Sequence, residues 1–236
     1  MSRHLRVRHF WRLSIPLAAT LALAACSSTQ SSGTFRYSGF LKDYSMLEHG
    51  VGGDRVLAFY IAKDADFARY DAVILEPITI WRTMGSNMPS VSDADLEQLA
   101  NYLWVALAEE LQKDYVLAER PGRKVMVIRA ALTEARKGNT AMDVVSTVGP
   151  IMRSASAVNK MVTGTQSFVG EAGIELEVVD SLTRERLAAA IDERSGGKTL
   201  GKEGGDWADA KAAFDHWAMR LRAALATLSG REEDAG

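Results

Sequence analysis

The sequence predicts an α+β fold: a mixed or antiparallel sheet of about six strands, with two or three helices packed on it. Three observations carry this reading. Short segments rich in β-branched and aromatic residues recur between polar turns. Two long stretches repeat apolar residues every three or four positions, the spacing of a helix face. Two alternating segments on either side of Leu182 are close enough to pair as a hairpin.

Taken in order, Val56 to Ala62 and Ala72 to Trp81 read as strands. Ser92 with Asp95 three residues on is a capping-box pattern, and the helix it opens runs to about Lys113. Leu96, Leu99, Leu103, Leu107 and Leu111 fall on one face of it. Tyr115 to Ala118 and Lys124 to Thr133 read as strands joined by the turn Arg120-Pro121-Gly122-Arg123. Ala141 to Val162 is rich in small and apolar residues and is broken by Gly149-Pro150, which fits a short helix or loop followed by a second helical stretch. Phe168 to Asp180 and Leu187 to Glu193 form the hairpin. In it Ile174, Leu176 and Val178 alternate with Glu175, Glu177 and Val179, so one face is expected to be buried and the other mainly wet. A last helix opens at Asp206, with Asp209 completing a capping box. Its stripe is Ala210, Phe214, Trp217, Leu221, Leu225 and Leu228, and Gly230 stands where a C-terminal cap belongs.

The N-terminus carries a different message. Arg3, Arg6, Arg8 and Arg12 come without an acidic residue, the apolar stretch Leu13 to Ala22 follows, and Leu23-Ala24-Ala25-Cys26 closes the segment. That is a three-part secretory signal. The apolar run is short of the roughly 20 residues that span a bilayer. Its last four residues resemble the lipobox of bacterial lipoproteins. The resemblance implies that Cys26, the only cysteine, receives a diacylglycerol and becomes the N-terminus after cleavage. It also implies three acyl chains, which hold a protein firmly where one does so only marginally. Ser27 follows the cysteine, where an aspartate favours inner-membrane retention in enterobacterial lipoproteins. The expected location is therefore the outer membrane, facing the periplasm.

The chain then divides into a signal peptide (1–25), the lipidated Cys26 with a flexible tether (26–36), one globular domain (37–230) and an acidic tail (231–236). The tether is polar and reaches at most about 28 Å over its eight residues, Ser27 to Thr34. The signal removes four of the 28 basic residues and none of the 30 acidic ones, leaving 24 against 30 and a balance of −6. An acidic chain with no basic run is a poor match for nucleic acid. No disulfide can form within the mature chain, so the fold stands on its hydrophobic core.

The mature chain resembles the bacterial lipoproteins of domain of unknown function 3313. Ser38-Gly39-Phe40-Leu41 with Asp43-Tyr44-Ser45 is similar to that family's opening. Phe67, Tyr70 and Asp71 leading into Leu75-Glu76-Pro77-Ile78 resemble its first strands. Gly164 and Ser167-Phe168-Val169-Gly170-Glu171-Ala172 resemble its central signature. Ile174 to Asp180, Leu187-Ala188-Ala189, Asp192, Trp207, Phe214 and Trp217 complete the order over about residues 37 to 228. One departure is Thr183-Arg184, where the family often has Thr-Gly. If that turn needs a positive φ, Arg184 costs about 1 kcal/mol relative to glycine. The resemblance implies fold and location more than activity.

Motifs for chemistry are sparse. Ser195-Gly196-Gly197-Lys198-Thr199 ends like a phosphate loop, but Asp192 stands where the first glycine belongs. Gly50 to Asp54 lacks the dinucleotide fingerprint and reads as a loop. Glu171, Glu175 and Glu177 could gather a hard cation, although a wet hairpin face explains them as well. Asp64 and Asp66 could form an acid–base pair, or simply a polar turn. His49 and His216 are the histidines left in the mature chain, and His216 reads as an ordinary helical histidine. No nucleophile elbow or His-Glu-x-x-His pair is present. The expectation is therefore no catalytic residue, no metal and no cofactor. Trp81, Tyr102 and Trp104 are candidates for packing or for a partner surface. The expected function is an envelope lipoprotein, anchored in the membrane through Cys26, that binds a protein partner without catalysis. The alternatives are a carrier or sensor of a lipid or small apolar ligand built on Met142 to Met161, and an envelope hydrolase using Asp64, Asp66, Glu175 and Glu177.

Overall fold

A computed structural model describes residues 30–31, 36–50, 56–83, 86–138, 170–195 and 207–231. Its strands are β1 (Gln30–Ser31), β2 (Glu48–His49), β3 (Ala58–Ile61), β4 (Ala72–Leu75), β5 (Thr79–Ile80), β6 (Val116–Leu117), β7 (Val125–Arg136), β8 (Glu171–Asp180) and β9 (Arg186–Ser195). The helices are α1 (Asp93–Leu111) and α2 (Ala208–Leu228). Among the described residues the strands make one nine-stranded sheet, ordered β2-β3-β9-β8-β7-β4-β6, with β1 paired to β9 and β5 to β7. It is mixed: β4 runs parallel to β6 and β7, β5 runs parallel to β7, and the remaining pairs are antiparallel. The count exceeds the six expected by three: β1, which lies inside the segment expected as a tether, β2, and β5, which splits off from the strand expected over Ala72 to Trp81.

Both helices lie on one face. The leucines Leu96, Leu99, Leu103, Leu107 and Leu111 of α1 are all 1% exposed or less. Burying each contributes roughly 1.5–3 kcal/mol relative to leaving it in water. On α2, Ala210, Phe214, Trp217 and Leu225 join the same core, with Leu221 and Leu228 packed against it. Ser92 caps α1 as expected, its Oγ accepting from Asp95 N–H at 3.2 Å. The cap expected for α2 differs. Asp206 is not among the described residues, Trp207 occupies the cap position without a side-chain bond, and the Asp209 carboxylate accepts from Gly170 N–H at 3.1 Å. Gly230 closes α2 at φ +70°.

The single strand expected over Ala72 to Trp81 is broken. Leu75 and Thr79 are four positions apart, whereas their partners on β7, Ile128 and Ala131, are three apart. The extra residue falls around Pro77, which has no N–H to offer a ladder. A second irregularity lies between Leu132 and Glu134 of β7, which face Ile174 and Gly173 and leave Thr133 as the extra residue of a bulge. A Cβ on Gly173 would come 2.9 Å from the Cβ of Glu134 and 3.0 Å from Thr133 Oγ1, so the bulge requires glycine there.

The turn between β8 and β9 is tightly specified. Leu182 and Thr183 N–H both donate to Asp180 Oδ1 at 2.8 Å, and Arg184 N–H reaches the Asp180 carbonyl at 3.0 Å. Arg184 itself sits at φ +64°, the left-handed conformation that the sequence marked as a cost. Asp180 also accepts from Arg69 at 2.5 Å and Tyr70 Oη at 2.9 Å. Burial pushes the Asp180 carboxyl up. The N–H groups of Thr183 and Leu182, with Tyr70 and Arg69, outweigh that and hold it well below the usual carboxylate range. Tyr70 is pushed up to about 12, first by burial and then by the carboxylate it serves.

Candidate functional site

The side of the sheet away from the helices carries the main surprise. Glu171, Glu175 and Glu177 point there, and the alternation led us to expect a wet face. They are 7%, 1% and 6% exposed. The cover is the chain ahead of β2. Phe40 and Leu41 are buried against Ala58, Ala131, Ala189 and Ile191, with Tyr44, Leu47 and Tyr60 alongside, forming a second small core.

Buried carboxylates are costly unless ion-paired or fully hydrogen-bonded. Glu171 and Glu177 meet arginines, and Glu175 is held by hydrogen bonds alone. Glu175 accepts from Ser38 N–H on one oxygen and Tyr44 Oη on the other, both at 2.7 Å. The Tyr44 hydroxyl in turn accepts from Gly39 N–H at 2.7 Å. Burial, and then the neighbouring Glu175, push the Tyr44 hydroxyl up, so it stays a donor. Glu177 meets Arg129 on one oxygen and Arg186 on the other, the latter at 3.1 Å. Arg186 also donates to the carbonyls of Leu41 and Asp43 at 2.6 and 2.8 Å. Arg129 reaches Glu76 at 3.2 Å and lies 5.5 Å from the Phe40 ring centroid. Arg136 Nη2 contacts Glu171 at 2.6 Å. On the helix side, the buried Asp192 carboxylate accepts from Arg194 Nε and Trp217 Nε1, each at 2.8 Å.

This arrangement is a clamp. Both oxygens of Glu175 and of Glu177 are committed to protein donors, and the arginine of one pair also ties down the covering segment. Its chemistry is positioning, and it fixes residues 38–47 on the sheet.

The residues nominated from sequence do not converge. Asp64 and Asp66 are exposed, just after β3, while Glu175 and Glu177 are locked under the covering segment. Among the described residues no group of three or more His, Cys, Asp or Glu is arranged to hold a metal. His49 is on β2 and His216 on α2. Tyr102 bridges the helices, its Oη donating to Asp215 at 3.0 Å and its ring 6.2 Å from that of Phe214. Trp104, two residues on and so about 200° round the helix, donates to the Leu75 carbonyl at 3.4 Å. Trp81 is 36% exposed, packs edge-on against Phe40 and donates to the Ser38 carbonyl at 3.0 Å. The three aromatics thus face different neighbours. Cys26 and the segment Met142 to Met161 lie outside the described residues.

Sequence reasoning missed Tyr44, Arg129 and Arg186 as members of the buried network. Arg129 stands directly opposite Glu177 on the neighbouring strand, a signal that is visible only once the register is known. An open cavity of about 350 Å³ lies at the β2–β3 edge, lined by Met46, Phe59, Tyr60 and Ile61 with the charged Glu48, Lys63 and Asp64. No helix among the described residues is long and apolar enough to cross a membrane.

No curated protein matches the chain. Among solved structures, two PelC dodecamers from Paraburkholderia phytofirmans are similar at 15% and 14% identity, with TM-scores of 0.36 and 0.37. Each match covers 72% of this chain and 95% of that one. A DUF4136 family protein from Bacteroides thetaiotaomicron is similar at 12% identity and a TM-score of 0.32, covering 73% of this chain and 94% of its own. Likenesses this distant say nothing about activity. The family model described as "Protein of unknown function (DUF3313)" matches residues 36–221, from the start of the covering segment into the last helix, and the chain belongs to that family.

Proposed function

We propose that this protein is a lipoprotein of the bacterial envelope, anchored through acyl chains on Cys26 in the outer membrane. It faces the periplasm and serves as a non-catalytic accessory protein that binds an envelope protein. The observation that carries the location is the signal ending in Leu23-Ala24-Ala25-Cys26, with Ser27 after it. What supports a binding role over a catalytic one is the state of the carboxylates. Those that could have served as acid, base or metal ligand are either matched to arginines and N–H donors in a clamp or apart on exposed turns. Membership of the family adds no activity of its own. Of the three aromatics, Trp81 offers an exposed ring to a partner, whereas Tyr102 and Trp104 are engaged with Asp215 and the Leu75 carbonyl.

The test is crosslinking of the acylated protein in intact cells, followed by mass spectrometry. A reproducible envelope partner, whose crosslinks weaken in Trp81→Ala, is the expected result. Repeated recovery of the protein alone would count against the binding role.

A further inference from the structure

The pairing of β1 with β9 orients the domain. Gln30 sits opposite Ser195, and Ser31 opposite Arg194, at the very end of β9. The register makes this end level across the sheet, since Arg136 faces Glu171 and Glu171 faces Ser195. The starts of both helices gather there too. Lys137 pairs with Asp95 of α1 at 3.2 Å, and Gly170 N–H reaches Asp209 of α2. The opposite end holds the turn after Asp180, with Leu182 at 55% exposure.

Resting on the proposed acylation of Cys26, we infer that the end of the sheet bearing Arg136, Glu171 and Ser195 stands against the phospholipid headgroups. The Asp180–Glu185 turn then projects away from the bilayer. The occupant of that end follows from the chain ahead of it. Only four residues lead from Cys26 to Gln30, a reach of about 14 Å at full extension. The ten residues of β9 span about 30 Å. The Cys26 backbone, from which the acyl chains leave, therefore cannot lie past the near half of the sheet. A protein partner approaching from the periplasm meets the far turn and the flanks, while the near end is taken up by lipid.

The test uses the full acylated chain in vesicles of phosphatidylethanolamine and phosphatidylglycerol carrying a headgroup spin label. Because the acylated sulfur of Cys26 is blocked, one introduced cysteine is the sole free thiol for a fluorophore. Lys137→Cys probes the near end, Val105→Cys the middle of α1 and Leu182→Cys the far turn. The expected result is strong loss of fluorescence at 137, less at 105 and none at 182. A second chain, with about twenty Gly and Ser residues inserted ahead of Gln30, should lose this gradient, since such a linker wanders freely. Equal quenching at the three sites, greater quenching at 182, or a gradient that survives the insertion would overturn the orientation. The intact mass of each preparation separates the two ideas. Missing acyl mass on the wild type overturns the anchor itself, whereas correct acyl mass without a gradient overturns only the orientation.

Discussion

Arg184 is a non-glycine residue at φ +64°, and replacing it with glycine should raise stability. The left-handed conformation costs an L-residue roughly 1–2 kcal/mol through its Cβ. Glycine escapes that cost but loses about 0.5–1 kcal/mol of extra chain entropy on folding. The balance favours glycine by about 0.5–1 kcal/mol. The arginine side chain contributes little against this. Its ion pair with Glu76 is 3.9 Å long, with both groups well exposed, which is worth a few tenths of a kcal/mol at most. The turn's own bonds run through the Arg184 N–H and the Asp180 side chain, and glycine keeps them all. Arg184→Ala is the control, because it removes the ion pair and keeps the Cβ. Thermal unfolding of the three proteins followed by circular dichroism should place Arg184→Gly above Arg184→Ala by about 1–4 °C, given roughly 2–4 °C per kcal/mol for a domain of this size. The parent should lie at or slightly above alanine. An alanine variant as stable as the glycine variant would refute the reasoning, because the Cβ penalty would then be absent.

Asp180→Asn should cost about 1–3 kcal/mol by weakening bonds that now end on a charged, buried acceptor. The carboxyl is held below its unfolded value of about 3.9, so its contribution is full above that pH and fades as pH falls through the folded value. Urea unfolding at several pH values should therefore show a shallower acid decline in the variant than in the parent. Gly173→Ala forces a Cβ against Glu134 and Thr133 at the bulge and should destabilise by roughly 1–3 kcal/mol, read from the urea midpoint at unchanged slope. An unshifted midpoint would mean that the bulge yields freely. Cys26→Ser should leave the protein unacylated and either uncleaved or mislocalised, with the domain still folded. Fractionation and the mass of the mature N-terminus decide it, and a serine variant that stays with the outer membrane after a salt wash would contradict the anchor.

Local signals in the sequence were enough for the helices. The leucine stripe of α1 and the aromatic stripe of α2 each repeat within one element, so burial follows from spacing alone. The Ser92 cap and Gly230 are equally local. The longer strands were found, but not the two-residue β1 and β2, nor where Pro77 splits one strand and Thr133 bulges another, because those depend on a neighbour's register. The candidate site was the least legible. Alternation along β8 separates its two faces, yet nothing within the strand tells that Phe40, Leu41 and Tyr44 cover the glutamate face. Period-two reasoning assumes that water is the default neighbour of a charged row, and here the neighbour is a distant stretch of the same chain. Asp209 misled in the same way. It fits a local cap pattern, and its carboxylate meets Gly170, 39 residues upstream.

That distant cover also sets an order of events during folding. Ser38 and Glu175 lie 137 positions apart, and Leu41 and Arg186 lie 145 apart. The hairpin of β8 and β9 can close over a handful of residues, whereas the cover must wait for a loop many times longer. Each doubling of a loop adds only about 0.6 kcal/mol of closure entropy, but long separations slow the approach to the transition state. The stretch containing Phe40, Leu41 and Tyr44 is synthesised early, while its acceptors on β8 and β9 come near the end of the chain. Until they arrive, Phe40, Leu41 and Tyr44 have no floor to pack on. The segment made among the first is among the last to find its place.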